Sequence, residues 1–135
     1  SIRTREGLRD VEQQITDLAL LGKQIDTYRK LKPVYDRYKA SKDKEKFLRG
    51  FESEIILFEA AAREIKKAGL TKLPSSDKVK AELEGLSARK AALQTELRKI
   101  QREEKEYDTL RQNVDALLER PKEQEQQRQR SNDLE

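Results

Sequence analysis

The sequence predicts an all-α, elongated three-helix bundle with coiled-coil character. Charged residues make up 41% of the 135 residues and hydrophobic residues only 34%, so the chain cannot surround a large globular core. It has only five glycines and three prolines, and its most frequent residues favour helices. Apolar residues recur at alternating steps of three and four, the spacing of one stripe along a helix. These observations indicate one helical domain over about residues 1–119.

The first helix is expected over about residues 4–40. Its apolar stripe consists of Leu8, Val11, Ile15, Leu18, Gly22 and Ile25, widened by Leu21, Tyr28 and Leu31. Pro33 has no amide hydrogen to donate inside a helix, so a kink or a break is expected near residues 29–33. Val34, Tyr35 and Tyr38 then continue the apolar face.

The second helix is expected over about residues 43–68. Ser41 or Asp43, in the polar stretch KASKDK, can cap its first amides. Its apolar stripe is Phe47, Phe51, Ile55, Phe58, Ala62 and Ile65, joined by Leu48 and Leu57. Gly69 is expected to end the helix because glycine adopts the left-handed conformation that a helix end requires.

The third helix is expected over about residues 76–119, after the turn LPSSD, with Ser75 or Ser76 as its cap. Its stripe is Val79, Leu83, Leu86, Lys90, Leu93, Leu97, Ile100, Glu104, Tyr107, Arg111, Val114 and Leu118. The three charged members would be costly to bury unpaired, so the helix is expected to be partly open there, or their stems to reach water.

The end of the chain is polar and lacks apolar periodicity. Pro121 is expected to end the third helix, and residues 120–135 are expected to form a disordered tail. The terminal Leu134-Glu135 resembles the remnant of a purification tag, and the chain is expected to be a piece of a larger protein.

Two short connections predict an up-down-up order, in which the second helix is antiparallel to both neighbours. The third helix is much longer than the second, so part of its stripe would lack a partner. That part is expected to form a homodimer or to dock another protein. The residues assigned to this seam are Leu93, Leu97, Ile100, Tyr107, Leu110, Val114 and Leu118.

The composition leaves little room for catalysis. The chain has no cysteine and no histidine, which removes thiol chemistry, the commonest metal ligand and the usual general base. Acidic pairs such as Glu52 and Glu54 lie among equal numbers of lysines and arginines, as expected of solvated helix faces. No catalytic residue, metal site or cofactor is therefore predicted. The absence of a long apolar run predicts no membrane partner and a soluble, cytoplasmic protein.

Residues 28–50 carry the highest positive charge. Nine basic residues stand against three acidic ones, a local balance of +6 in a chain of +4. The basic residues are Arg29, Lys30, Lys32, Arg37, Lys39, Lys42, Lys44, Lys46 and Arg49. They would attract phosphates, and the interleaved tyrosines could stack on unpaired bases. Alternatively, the tyrosines face the bundle and the basic residues are only solvated; the step from Tyr35 to Tyr38 favours this second interpretation.

The order of several motifs resembles a known family. YDRYKAS is followed by KFL, EIILFEAAAREIKKAG, TKLPS, a long charged helix and QNVDALL. The sequence resembles the C-terminal helical region of relaxases, the mobilisation nucleases of bacterial conjugative and mobilisable elements. The resemblance covers about residues 8–118 and is carried by Tyr35, Tyr38, Lys39, Ala40, Ala60, Ala61, Lys72, Leu73, Pro74, Asn113, Val114, Asp115 and Leu118.

The resemblance implies a full-length protein that nicks DNA through a tyrosine, with a metal held by histidines. This chain has no histidine, and no tyrosine matches the nucleophile's motif, so no catalytic residue is carried over. Phe58 also stands where the family pattern has histidine. The sequence therefore predicts a non-catalytic region for oligomerisation, for docking to a transfer-machinery protein and for auxiliary DNA retention. The alternative is a coiled-coil spacer without DNA contact.

Overall fold

The protein is an elongated arrangement of three α-helices in a computed structural model, which describes residues 1–133. α1 spans Ile2–Ala40, α2 spans Lys44–Lys67 and α3 spans Ser76–Asp133. The predicted all-α class is confirmed, with three packed helices and no strand among the described residues. The two terminal residues interpreted as a tag remnant lie outside this range.

Side-chain caps set the helix boundaries near the predicted positions. The Asp43 carboxylate accepts a hydrogen bond from the Lys46 amide at 3.1 Å, and the Ser75 hydroxyl accepts one from the Lys78 amide at 3.1 Å. Gly69 ends α2 with a φ of 72°. All three positions satisfy groups that helix ends leave without partners, and all three confirm the sequence prediction.

Pro33 does not break the first helix, because α1 continues through it to Ala40. One lost backbone hydrogen bond is tolerated since the packing of α2 on both sides of the proline holds the helix together. The irregular backbone lies instead in α2. Phe51 has φ −133° and ψ 28°, immediately after Gly50, and divides α2 into two segments.

Aromatic side chains pack α2 against the second half of α1. The Phe58 ring stacks on both Tyr28 and Tyr35, with ring centroids 4.7 Å and 4.3 Å apart. The Tyr38 and Phe47 centroids are 6.1 Å apart. Residue numbers rise on α2 as they fall on α1, so the two helices are antiparallel, as predicted.

α3 packs against the first half of α1. A Cβ atom at Gly22 would lie 3.1 Å from Val79, and one at Gly7 would lie 3.7 Å from Leu93. Numbers fall on α1 as they rise on α3, so these two helices are antiparallel. Among residues 1–133, α2 and α3 have no Cα atoms within 8 Å of each other.

The direction of α3 therefore differs from the predicted up-down-up order. The prediction that α1 and α3 are parallel, and that α2 packs antiparallel to α3, is wrong. α1 is the central helix, and α2 and α3 run in the same direction along its two halves.

The connection between α2 and α3 explains this difference. The Arg29 guanidinium of α1 donates to the carbonyl oxygens of Pro74 and Leu73, at 2.6 Å and 3.4 Å. These bonds hold the connection on α1, and α3 then starts beside Gly22 instead of turning back along α2. Leu18 and Leu21 of α1 line an open groove of about 580 Å³ beside α3.

α3 is also longer than predicted, since it continues past residue 119 to Asp133. It therefore includes residues 120–133, where the sequence predicted a disordered tail. Pro121 removes one backbone hydrogen bond, whereas the glutamine, glutamate, lysine and arginine residues that follow favour helix.

Candidate docking and nucleic-acid surfaces

The first candidate surface is the basic corner, where α1 ends and α2 begins. Its members are all exposed: Arg29, Lys30, Lys32, Arg37, Lys39, Lys42, Lys44, Lys46 and Arg49. The fold brings the basic residues from Arg37 to Arg49 to one end of the α1–α2 pair, whereas Arg29, Lys30 and Lys32 lie farther back along α1, where Arg29 contacts the α2–α3 connection. It does not place them on one helix face, because they surround the seam residues of α1 and continue through the connection.

Two of these cations already have anionic or carbonyl partners. The Lys32 ammonium lies 3.1 Å from the Asp36 carboxylate, one helical turn along α1. This hydrogen bond, and then the charge of Asp36, raises the pKa of Lys32 above its ordinary value. Arg29 is bonded to the α2–α3 connection. Both residues stabilise the fold locally through these contacts, so their side chains are less available to bind DNA phosphates.

Two more cations lie over aromatic rings. The Arg37 guanidinium is 5.6 Å from the ring centroids of both Phe47 and Phe51, and the Lys39 ammonium is 5.3 Å from that of Tyr35. These distances are within the range of cation–π attraction. The cations remain exposed, so they add positive potential at the corner while helping to cover the aromatic cluster.

The tyrosines of the basic stretch belong to the helix packing. Tyr28, Tyr35 and Tyr38 are half-buried, and Tyr28 and Tyr35 stack on Phe58. The interpretation that they face the bundle is therefore supported over stacking on nucleic-acid bases. What remains for a polyanion is contact between the flexible basic side chains and phosphates.

The second candidate surface is the distal stripe of α3. Its large apolar side chains are 45–67% exposed: Tyr107, Leu110, Val114, Leu117 and Leu118. Every residue from 101 to 120 is exposed. Sequence reasoning missed Leu117, although the steps from 110 to 114 and from 114 to 117 repeat the helical spacing that defined the seam.

The predicted docking seam is divided by the fold. Leu93, Leu97 and Ile100 are half-buried, and Leu93 lies against Gly7 of α1. Tyr107, Leu110, Val114 and Leu118 are exposed. Only the second group is a free surface, because α1 covers the stripe up to about position 100.

The charged members of the α3 stripe fit this division. Lys90 lies within the part covered by α1, and its ammonium is 3.9 Å from the Glu12 carboxylate. Its side chain remains 38% exposed, so it reaches water as predicted. Glu104 and Arg111 lie in the uncovered part and are exposed.

No group of three acidic, histidine or cysteine side chains in the described part of the chain is arranged to hold a metal ion. None of the described helices combines the length and apolarity needed to cross a bilayer. Comparisons of this chain with protein-family models, with curated proteins and with solved structures found no match.

Proposed function

We propose that this chain is a non-catalytic helical arm of a DNA relaxase or mobilisation protein that works in the cytoplasm. In this proposal the distal stripe serves oligomerisation or docks a partner of the conjugative transfer machinery, and the basic corner helps to retain DNA. The observation that carries the docking role is the exposed apolar stripe on a helix that extends beyond its partner helix. The assignment to relaxases is supported by the sequence resemblance alone.

Exposure of the distal stripe supports docking because its residues form one continuous face. Leu110, Val114 and Leu117 are separated by steps of four and three, so they lie on the same side of α3. A continuous apolar face of this kind commonly marks an interaction site. Charged residues fill the remaining sides of the helix, as expected of a helix that is solvated around one docking face.

Charge supports the DNA role. The basic corner concentrates a balance of +6 within residues 28–50, while the rest of the chain has a balance of −2, since the whole chain carries +4. Such a concentration favours phosphate contact through counterion release. The rings of Tyr28 and Tyr35 stack on Phe58 and are therefore not available to stack on DNA bases. Binding of DNA to the basic corner is therefore expected to be independent of base sequence and similar for duplex and single-stranded DNA.

The second candidate function is a coiled-coil spacer without DNA contact. It is favoured by the partners that Arg29, Lys32, Arg37 and Lys39 already have within the protein. In this case the basic corner would serve only to keep the chain solvated.

Fluorescence anisotropy with labelled duplex and single-stranded DNA distinguishes these functions. We expect binding at low salt that weakens as salt rises. Changing Lys42, Lys44 and Lys46 to glutamine should reduce the slope of log affinity against log salt by up to about 3, roughly 0.9 for each phosphate contact.

The matched control changes three exposed lysines of α3 to glutamine: Lys80, Lys99 and Lys105. The two triple variants have the same net charge, so only a local effect separates them. Loss confined to the first variant supports DNA retention by the basic corner. Absence of binding at low salt, or equal loss in both variants, would reject that role and leave the spacer.

A further inference from the structure

The α3 stripe continues past the part that α1 covers, and Glu104 and Arg111 are its charged members there. Position 93 of α3 lies beside position 7 of α1, and position 79 lies beside position 22. Residues of α1 and α3 that lie at the same level therefore have numbers that add up to about 100. The half-buried part of the stripe accordingly reaches Ile100 of α3. Beyond that level the apolar spacing continues to Leu118, and every side chain from 101 to 120 is exposed.

We propose that a second copy of this chain covers residues 100–118 of α3, antiparallel to the first copy and related to it by a two-fold axis. This inference rests on the proposed docking role and names its occupant. α1 is already an antiparallel partner for the first half of the stripe, and an antiparallel α3 from a second copy continues the same packing along the exposed half.

The half-buried part of the stripe and its last apolar residue define the register. A second copy cannot extend below about position 100, because α1 lies there. Its last apolar residue on this stripe is Leu118. Placing Ile100 of one copy opposite Leu118 of the other puts the two-fold axis at position 109. Leu110, which is 61% exposed, then lies beside Leu110 of the second copy.

Charge complementarity favours the antiparallel direction. In a parallel pair in register, Glu104 would face Glu104 and Arg111 would face Arg111, both at core positions of the heptad. In the antiparallel register, Glu104 is level with Val114 of the second copy. Arg111 of that copy lies three residues away, about 4.5 Å along the axis and within reach of the carboxylate.

The same register gives the aromatic residue of the stripe a partner. Tyr107 is level with Arg111 of the second copy, since the two numbers add up to 218. A guanidinium over the tyrosine ring is a favourable pair when both are removed from water. The two-fold axis repeats each of these pairs, so both charges of the stripe gain a partner in both copies.

The contact is short, and this determines how it should behave. An overlap of 19 positions is about 28 Å long, a modest length for a two-stranded contact between helices. We therefore expect a dimer that dissociates on dilution. The packing of α3 against α1 is expected to remain intact in the dissociated monomer.

Cysteine cross-linking tests both the occupant and its direction, because the natural chain has no cysteine. Two single variants, Ile100→Cys and Leu118→Cys, are oxidised separately and as a mixture. An antiparallel dimer gives a disulfide-linked species that contains one copy of each variant, and only in the mixture. Cross-linking of Ile100→Cys with itself would show a parallel pair and overturn the proposal.

The matched control uses Arg102→Cys and Ala116→Cys. These positions also add up to 218 and lie at corresponding levels, but on the outer face of α3. No cross-link is expected between them. Equal cross-linking of this pair would show random collision, and no cross-link in either mixture would show that a second copy does not occupy the stripe. DNA titration of the unmodified chain tests the proposed DNA role separately, so the two failures are distinguishable.

Discussion

Phe58 is the buried aromatic residue of α2 that packs against two tyrosines of α1. Its side chain is only 5% exposed, and its ring lies against two tyrosines of α1, with centroid distances of 4.7 Å and 4.3 Å. Stacked aromatic pairs contribute beyond the area that they bury. The packing of α2 against the Tyr28–Tyr35 segment of α1 therefore depends strongly on this side chain.

We expect Phe58→Ala to lower the free energy of unfolding by about 3–5 kcal/mol, because it leaves a cavity between Tyr28 and Tyr35. The adjacent Leu57 is 55% exposed, and Leu57→Ala should change it by less than about 0.5 kcal/mol. Urea unfolding followed by circular dichroism measures both. Similar values for the two variants would contradict the α1–α2 packing.

The features at the helix ends could be predicted from the local sequence. The caps at Asp43 and Ser75 and the left-handed Gly69 follow from side-chain chemistry near helix ends, which depends on a few neighbouring residues. The contacts of Arg29 with the α2–α3 connection could not be predicted in this way. They join residues more than 40 positions apart, and no local pattern specifies them.

At the scale of the elements, the close approach of α3 to α1 depends on a glycine. A side chain at Gly22 would meet Val79 at 3.1 Å, tighter than ordinary contact. We expect Gly22→Leu to push the helices apart and to lower the free energy of unfolding by about 1–3 kcal/mol.

The control is Gly85→Leu on α3, where an added Cβ meets no atom within 4 Å. It should raise the free energy of unfolding by about 0.5 kcal/mol, since leucine favours helix more than glycine. Thermal unfolding of both variants measures the difference. Destabilisation of similar size in both would contradict the assigned pairing of α1 with α3.

The helices could be predicted from apolar spacing, whereas the direction of α3 could not. A short connection usually joins antiparallel neighbours, and this tendency led to the up-down-up prediction. Here α2 and α3 share α1 as their partner, because the connection crosses α1 at Arg29. An uncovered distal part of α3 is expected in either direction, because α3 is longer than both other helices. The extension past Pro121 was missed because proline is a statistical, not an absolute, end of a helix.

At the scale of the whole molecule, the two candidate surfaces are far apart. The basic corner lies at the end of α1, and the distal stripe lies beyond the beginning of α1. In the proposed dimer the two basic corners would be on the order of 140 Å apart, at 1.5 Å per helical residue. Such a dimer would present two separated DNA contacts, one on each arm, in keeping with the proposed retention of DNA.

Sedimentation equilibrium over a range of concentrations tests self-association through the distal stripe most directly. We expect the mass to rise from 15.8 kDa towards twice that value, and Leu110→Glu to keep it at 15.8 kDa by placing two carboxylates at the two-fold axis. Leu57→Glu, at a position on α2 with similar exposure, should associate as the unmodified chain does. A mass that stays at 15.8 kDa at every concentration, or that is unaffected by Leu110→Glu, would contradict self-association through the distal stripe.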